Sequence, residues 1–125
     1  MEIKVMSNIL EKNEAIAARL RQRFAAKGIL VLNLMGSPGC GKTTLLENTI
    51  AALKARLRVA VIEGDLFTTK DADRIAKYDV PVIQINTSGG CHLDAPMVQK
   101  VLGQLDLAAL DLLIVENVGN LVCPA

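Results

Sequence analysis

Gly36-Ser37-Pro38-Gly39-Cys40-Gly41-Lys42-Thr43 satisfies the pattern G-x-x-x-x-G-K-[ST] at every fixed position. The spacing has a chemical logic. Glycines let the backbone wrap tightly enough for successive N–H groups to point inward at phosphate oxygens, and the helix that follows offers the positive end of its dipole to the same anion. Lys42 adds a point charge, Thr43 a hydroxyl suited to Mg²⁺, and Thr44 stands next in the same turn. The pattern acquires meaning from a strand running in and a helix running out. Ile29-Leu30-Val31-Leu32-Asn33-Leu34-Met35 is a short, mostly apolar run between Gly28 and Gly36, as expected of a strand buried on both faces. Beyond Lys42, apolar positions recur at helical spacing through Leu45, Leu46, Ile50, Leu53 and Leu57, with Thr49 on the same stripe.

The composition limits what such a unit can be. A chain of 125 residues with 51% apolar positions is in the range of one domain with a real core. Only 2% of residues are aromatic, so the core is aliphatic and there is no stacking platform for single-stranded nucleic acid. A formal net charge of +1 is too near neutral for a nucleic-acid or anionic-membrane footprint. No apolar run approaches the roughly 20 residues needed to span a bilayer, and the N-terminus lacks the charged-then-apolar order of a signal peptide. The expected location is therefore the cytoplasm. Cys40, Cys91 and Cys123 form an odd set in a reducing compartment, which favours ligand or catalytic roles over disulfides.

Strand and helix patterns alternate along the rest of the chain. Residues 7–27 read as an amphipathic helix, with Asn8 and Glu11 spaced as a capping box, an apolar stripe of Ile9, Ile16, Leu20 and Phe24, and Gly28 at its end. Residues 58–64 form a second buried strand delivering Asp65 at its C-terminal end, where ligands bind in open α/β sheets. Asp65 suits Mg²⁺ or its waters, and equally a helix cap before the Asp71–Ile75 segment; the residue types leave both open. Residues 80–86 give a third strand that starts with Pro81. A Gly-rich loop through Cys91 and His92 follows, then a helix with Asp94 as N-cap, Pro96 in its first turn and one face lined by Met97, Val101, Leu102 and Leu105. Residues 111–116 form the fourth strand. It delivers Glu116 as a second Mg²⁺ partner, an unusual Glu where Asp is customary, and Gly119 as a backbone N–H donor to a γ-phosphate. The order implies an α/β fold: one three-layer, doubly wound, mainly parallel sheet with right-handed crossovers. The sequence stops a few residues past the fourth strand and contains no N/T-K-x-D element to read a guanine base, as expected of a fragment.

Cys91, His92 and Cys123 all fall on loops at the C-terminal edge of the expected sheet. Thiolate and imidazole suit Zn²⁺ or Ni²⁺, and a two-fold dimer would complete a set that one chain leaves short. Small buried cysteines with His92 as an ordinary loop residue fit the same spacing.

Taken together, the segments Gly36–Leu45, Glu63-Gly64-Asp65, Thr69–Ile75, Gly89–Asp94 and Glu116–Pro124 resemble the nickel-insertion GTPases of hydrogenase maturation, the HypB family. These are SIMIBI-class P-loop GTPases related to the urease accessory GTPase. The resemblance covers nearly the whole chain. It implies a P-loop NTPase fold truncated after its fourth strand, with residues 1–28 as a helix packed on a GTPase domain of residues 29–125. It further implies a slow GTPase and metallochaperone binding GTP or GDP through Gly36, Ser37, Pro38, Gly39, Cys40, Gly41, Lys42, Thr43, Thr44 and Gly119. Lys42, Asp65 and Glu116 would serve catalysis, and Thr43, Asp65 and Glu116 would hold Mg²⁺. Cys91, His92 and Cys123 would bind Zn²⁺ or Ni²⁺ at a nucleotide-responsive homodimer interface. The implied partners are a nickel-handling accessory protein and the large subunit of a [NiFe]-hydrogenase, with neither nucleic acid nor membrane involved. Residues 1–28 contain neither Cys nor His, so no separate nickel store is implied there. Two other readings remain: a P-loop small-molecule kinase or ATPase with incidental cysteines, and a non-catalytic metal-bridged module.

Overall fold

The computed structural model describes residues 2–36, 40–65, 70–87 and 92–118, without the side chains of residues 2–10 and of Asp65. The chain begins with helix α1 (Glu2–Ala26), followed by β1 (Leu30–Leu34), α2 (Lys42–Leu53), β2 (Val59–Asp65), α3 (Lys70–Ala76), β3 (Val82–Asn86), α4 (Ala95–Val101) and β4 (Leu112–Glu116). The four strands are parallel and lie in the order β1-β4-β2-β3. The doubly wound sheet expected from the alternation is therefore present.

The two-residue period of the strands divides the core into two layers. Ala60 and Ile62 of β2 and Leu113 and Val115 of β4 pack with Ile16, Leu20 and Phe24 of α1 and with Leu93 and Leu102 around α4. Val59 and Val61 of β2 and Leu112 and Ile114 of β4 face the other way, against Leu46 and Ile50 of α2 and Ile75 of α3. Helices on both faces explain why these two strands read as continuous apolar runs.

Several local expectations are corrected. Helix α1 reaches back to Glu2, so Asn8 lies inside it and cannot form a capping box with Glu11. Its C-terminus ends as the sequence suggests: Gly28 has φ +70°, its N–H donates to Ala25 O, and the Ile29 N–H reaches back to Phe24 O at 2.9 Å. This is a Schellman closure, with Phe24 and Ile29 both buried across it. Among the described residues β1 is an edge strand, where a strand buried on both faces is expected, and Leu30 and Leu32 are exposed on the side of the sheet that carries α2. Helix α4 ends at Val101, and Leu102–Gln104 continues as a 3₁₀ turn, so the face expected to run to Leu105 is split between two geometries. Asp94 does cap α4, accepting from Met97 N at 3.0 Å, with Pro96 in the first turn. No helix among the described residues is long and apolar enough to cross a membrane.

At the N-terminal edge of the sheet, Asp111 clamps the entry to β2. It accepts from Arg58 N at 2.8 Å and Nε at 3.1 Å through one oxygen, and from Nη2 at 3.1 Å through the other. The side-chain hydrogen bonds from Arg58, then the backbone one, hold the Asp111 carboxyl below its ordinary value of 3.8. A carboxyl that binds its proton less well when folded adds stability above its unfolded value, and that contribution disappears as pH falls through the folded value. We therefore expect the parent chain to be more stable than Asp111→Asn at pH 7 and the gap to close below about pH 4. Urea melts of both chains at pH 7 and pH 3 check this; a gap of equal size at both would refute it.

Candidate functional site

The glycine-rich loop opens into α2 through Gly41, whose φ of +97° would strain any residue with a Cβ. Ser37, Pro38 and Gly39 lie outside the described residues. Cys40 is exposed. Lys42 Nζ donates to Gly36 O at 3.1 Å, which turns the ammonium back toward the residue that opens the motif. Thr44 is exposed on the first turn of α2, where Arg74 of α3 lies 3.4 Å from its hydroxyl and pairs with Glu47 one turn on.

Thr43 makes the decisive contact. Buried at the start of α2, it donates from Oγ1 to Glu116 Oε1 at 2.6 Å, joining the loop to the end of β4. Glu116 is 3% exposed, and its second oxygen, Oε2, has no hydrogen-bond partner among the described residues. A buried carboxylate oxygen without a donor is a natural place for a cation. In the sheet register Glu63 of β2 stands beside Glu116, and α3 brings Asp71 to the same place. Glu63, Asp71 and Glu116 each offer an oxygen within 4.8 Å of the others. Hard oxygen donors beside a hydroxyl and a phosphate-binding loop fit Mg²⁺, which takes one or two protein ligands and completes its octahedron with water and phosphate.

Neither Glu63 nor Asp71 was singled out from sequence. A lone Glu in an apolar strand carries no motif, and an Asp in a helix's first turn is ordinary dipole chemistry. Their only signal was the equal offset of Glu63 and Glu116 from the ends of two apolar runs. Asp65 closes β2 opposite Asn86. Residues 66–69, between Asp65 and the described part of α3, lie outside the described residues, as does the Asp65 side chain.

On the opposite face of the sheet lies a second polar cluster, of which the sequence points only to His92 and not to Asn13, Asn33 or Asn117. His92 is buried. The next residue, Leu93, donates its backbone N–H to Asn117 Oδ1 at 2.8 Å, and its side chain rests on Gly64. A Cβ at Gly64 would lie 2.8 Å from Leu93 Cγ, so glycine is needed between Glu63 and Asp65 for this approach. Ala95 N donates to Asn13 Oδ1 of α1 at 2.9 Å, so the segment leading into α4 is pinned to the sheet and to α1. Cys91, Cys123 and Gly119, expected to act with His92 and with the γ-phosphate, lie outside the described residues.

A parallel sheet with helices on both faces, a glycine-rich loop opening a helix, and a buried acid at a strand end meeting that helix's first hydroxyl define a P-loop nucleotide-binding domain. More particularly, the chain belongs to the CobW/HypB/UreG nucleotide-binding domain family, which it matches over residues 30–125. The resemblance read from its motifs is borne out. It is 52% identical over 123 residues to the hydrogenase maturation factor HypB of Escherichia coli K12, covering 98% of this chain and 42% of that protein. It is 48% identical over 128 residues to the hydrogenase/urease maturation factor HypB of Helicobacter pylori J99, covering 99% of this chain and 52% of that one. Among solved structures, HypB from Helicobacter pylori in complex with nickel matches with a TM-score of 0.81 and 48% identity, over 90% of this chain and 54% of that one. HypB from Archaeoglobus fulgidus matches with a TM-score of 0.80 and 34% identity, over 91% and 55%. The chain thus spans about half the length of the relatives it matches.

Proposed function

We propose that this chain is the nucleotide-binding part of a GTP-hydrolysing metallochaperone of the cytoplasm that delivers nickel during [NiFe]-hydrogenase maturation. The observation that carries the nucleotide side is the Thr43–Glu116 contact with Glu116 Oε2 left for a cation. In this reading Lys42 leaves Gly36 O to meet the β- and γ-phosphates. Thr43 and Glu116, with Asp65, would hold Mg²⁺, and Glu63 and Asp71 would add carboxylate oxygens beside it. When bound, Mg²⁺ supplies charge neutralisation at the transferring phosphate. The chain's own residues supply positioning: the loop N–H groups fix the phosphates, Gly119 contributes one more N–H, and α2 directs its dipole at the same oxygens.

The metal cargo is Ni²⁺, or Zn²⁺ in its place. We assign Cys91, His92 and Cys123 as its ligands, shared across a nucleotide-dependent homodimer, with a nickel-handling accessory protein and the hydrogenase large subunit as onward partners. Supporting this is the nickel bound by a relative of the same fold at 48% identity, together with the soft-donor character of the three residues. The test is Ni²⁺ and Zn²⁺ affinity of the intact protein with GDP and with a non-hydrolysable GTP analogue, alongside ATP and GTP competition for the loop. The expected result is guanine preference and a metal affinity that differs at least fivefold between the two nucleotide states, in the usual range of allosteric coupling. Equal affinities in both states, or preference for ATP, would overturn the reading.

A further inference from the structure

Consecutive residues of β4 address opposite faces of the sheet. Glu116 points to the α2 and α3 side and receives the Thr43 hydroxyl. Asn117, next along the chain, points to the α1 and α4 side, and it is 2% exposed. Its backbone N–H still pairs with Leu34 O at 2.9 Å, so it is held as rigidly as the strand it follows. Its side chain makes three hydrogen bonds. Oδ1 accepts from Leu93 N at 2.8 Å and from Val118 N at 2.9 Å, while Nδ2 donates to Asn33 Oδ1 at 3.1 Å. Two backbone donors converge on one atom, which makes that atom the oxygen and fixes the orientation of the amide.

One side chain therefore ties together the amide beside His92, the amide leading to Gly119, and β1, which feeds the glycine-rich loop. Its two acceptor bonds are buried, where a lost partner leaves a backbone donor unsatisfied. Leu93 is held from below as well, by the close approach to Gly64 at the end of β2. The residue following His92 is thus seated on both strands whose ends carry the acidic cluster.

We propose that Asn117 is the positioning residue that couples the nucleotide site to the His92 loop: a shift of Val118 in response to the γ-phosphate is passed through Oδ1 to the Leu93 amide and so to the adjacent imidazole. The inference rests on the switch reading above and adds to it the physical connection between the two sites. It requires no residue between them to touch either ligand. Glu116 and Asn117 share one planar peptide unit, so a tilt of that plane displaces the backbone of both.

The experiment measures Ni²⁺ affinity of the intact protein with GDP and with a non-hydrolysable GTP analogue, for the parent, Asn117→Ala and Asn117→Asp, with melting temperature and nucleotide affinity recorded in parallel. Alanine removes all three bonds. Aspartate keeps both acceptor bonds, and Asn33 can turn its amide to donate to it. In the parent the two affinities should differ by about 5- to 150-fold. In Asn117→Ala the ratio should collapse to under about twofold while nucleotide affinity stays within about threefold, and Asn117→Asp should restore most of the ratio, as loss or rescue of a coupling free energy requires. A parent that shows coupling and an Asn117→Ala chain that keeps it would overturn the inference and leave the switch reading standing. A parent without coupling would overturn both. Hydrogen exchange at the Leu93 amide tests the same connection without any substitution: its protection should change at least about fivefold between the two nucleotide states, and unchanged protection would reject Asn117 as the link.

Discussion

If the proposed function holds, Lys42→Ala should lower GTP turnover of the intact protein by about 10²–10³-fold, the loss typical when one preorganised charge is removed from a developing anion. The substitution isolates the phosphate contact. Lys42 is half-buried and bonds Gly36 O, so truncating it leaves no buried acceptor in a site that water cannot reach. Thr43→Ala would be less clean, because it also strips a hydrogen bond from the buried Glu116 carboxylate. The stability of Lys42→Ala should therefore stay within about 0.5 kcal/mol of the parent, as for substitutions away from buried features. Single-turnover hydrolysis with saturating nucleotide separates the chemical step from binding, and thermal melting checks the fold. Turnover within about threefold of the parent would exclude Lys42 from the phosphate site, since even one modest charge contact should exceed that.

The parts of this site that sequence made legible are those with fixed spacing. The glycine-rich loop announces itself because the backbone wrap, the ammonium and the hydroxyl must occur at set intervals. Glu116 was legible because a carboxylate after Leu112–Val115 interrupts a run that is otherwise wholly apolar. Glu63, Asp71 and Asn117 were not, because their neighbours are set by how strands and helices are ordered in space. Placing β4 between β1 and β2 sets Glu63 beside Glu116 and Asn117 across from Asn33. No local pattern encodes that neighbourhood, since the strands involved are separated by whole helices. The acidic Glu63 also sits one residue before Gly64, whose missing side chain is explained only by Leu93, nearly thirty positions later. Strand ends and the α4 cap are read to within one or two residues, while among the described residues β1 lies at the sheet edge and leaves Leu30 and Leu32 exposed. An apolar run reports that a strand can be covered on both faces, and its position in the sheet decides whether it is.

The same distinction yields the largest expected stability difference. Leu45 and Leu46 are adjacent in α2, chemically identical, and both on the stripe that helical spacing marks as apolar. The fold separates them: Leu46 is 1% exposed and packs with Ile50, Val61, Ile75 and Ile114, while Leu45 is 58% exposed. Truncating Leu46 removes its transfer free energy and leaves a cavity between α2 and the sheet, so Leu46→Ala should cost about 2–5 kcal/mol. Leu45→Ala opens no cavity and replaces one good helix former by a better one, so it should fall within about 0.5 kcal/mol of the parent. Because Leu46 is three residues from Thr43, its loss also loosens the turn that presents the hydroxyl to Glu116, and the damage should reach nucleotide binding before global unfolding. Urea melts of the two variants decide the matter, with nucleotide affinity measured well below the unfolding midpoint. Equal destabilisation by the two substitutions would mean that α2 lies on the sheet in a different rotation, and the Thr43–Glu116 contact would fall with it.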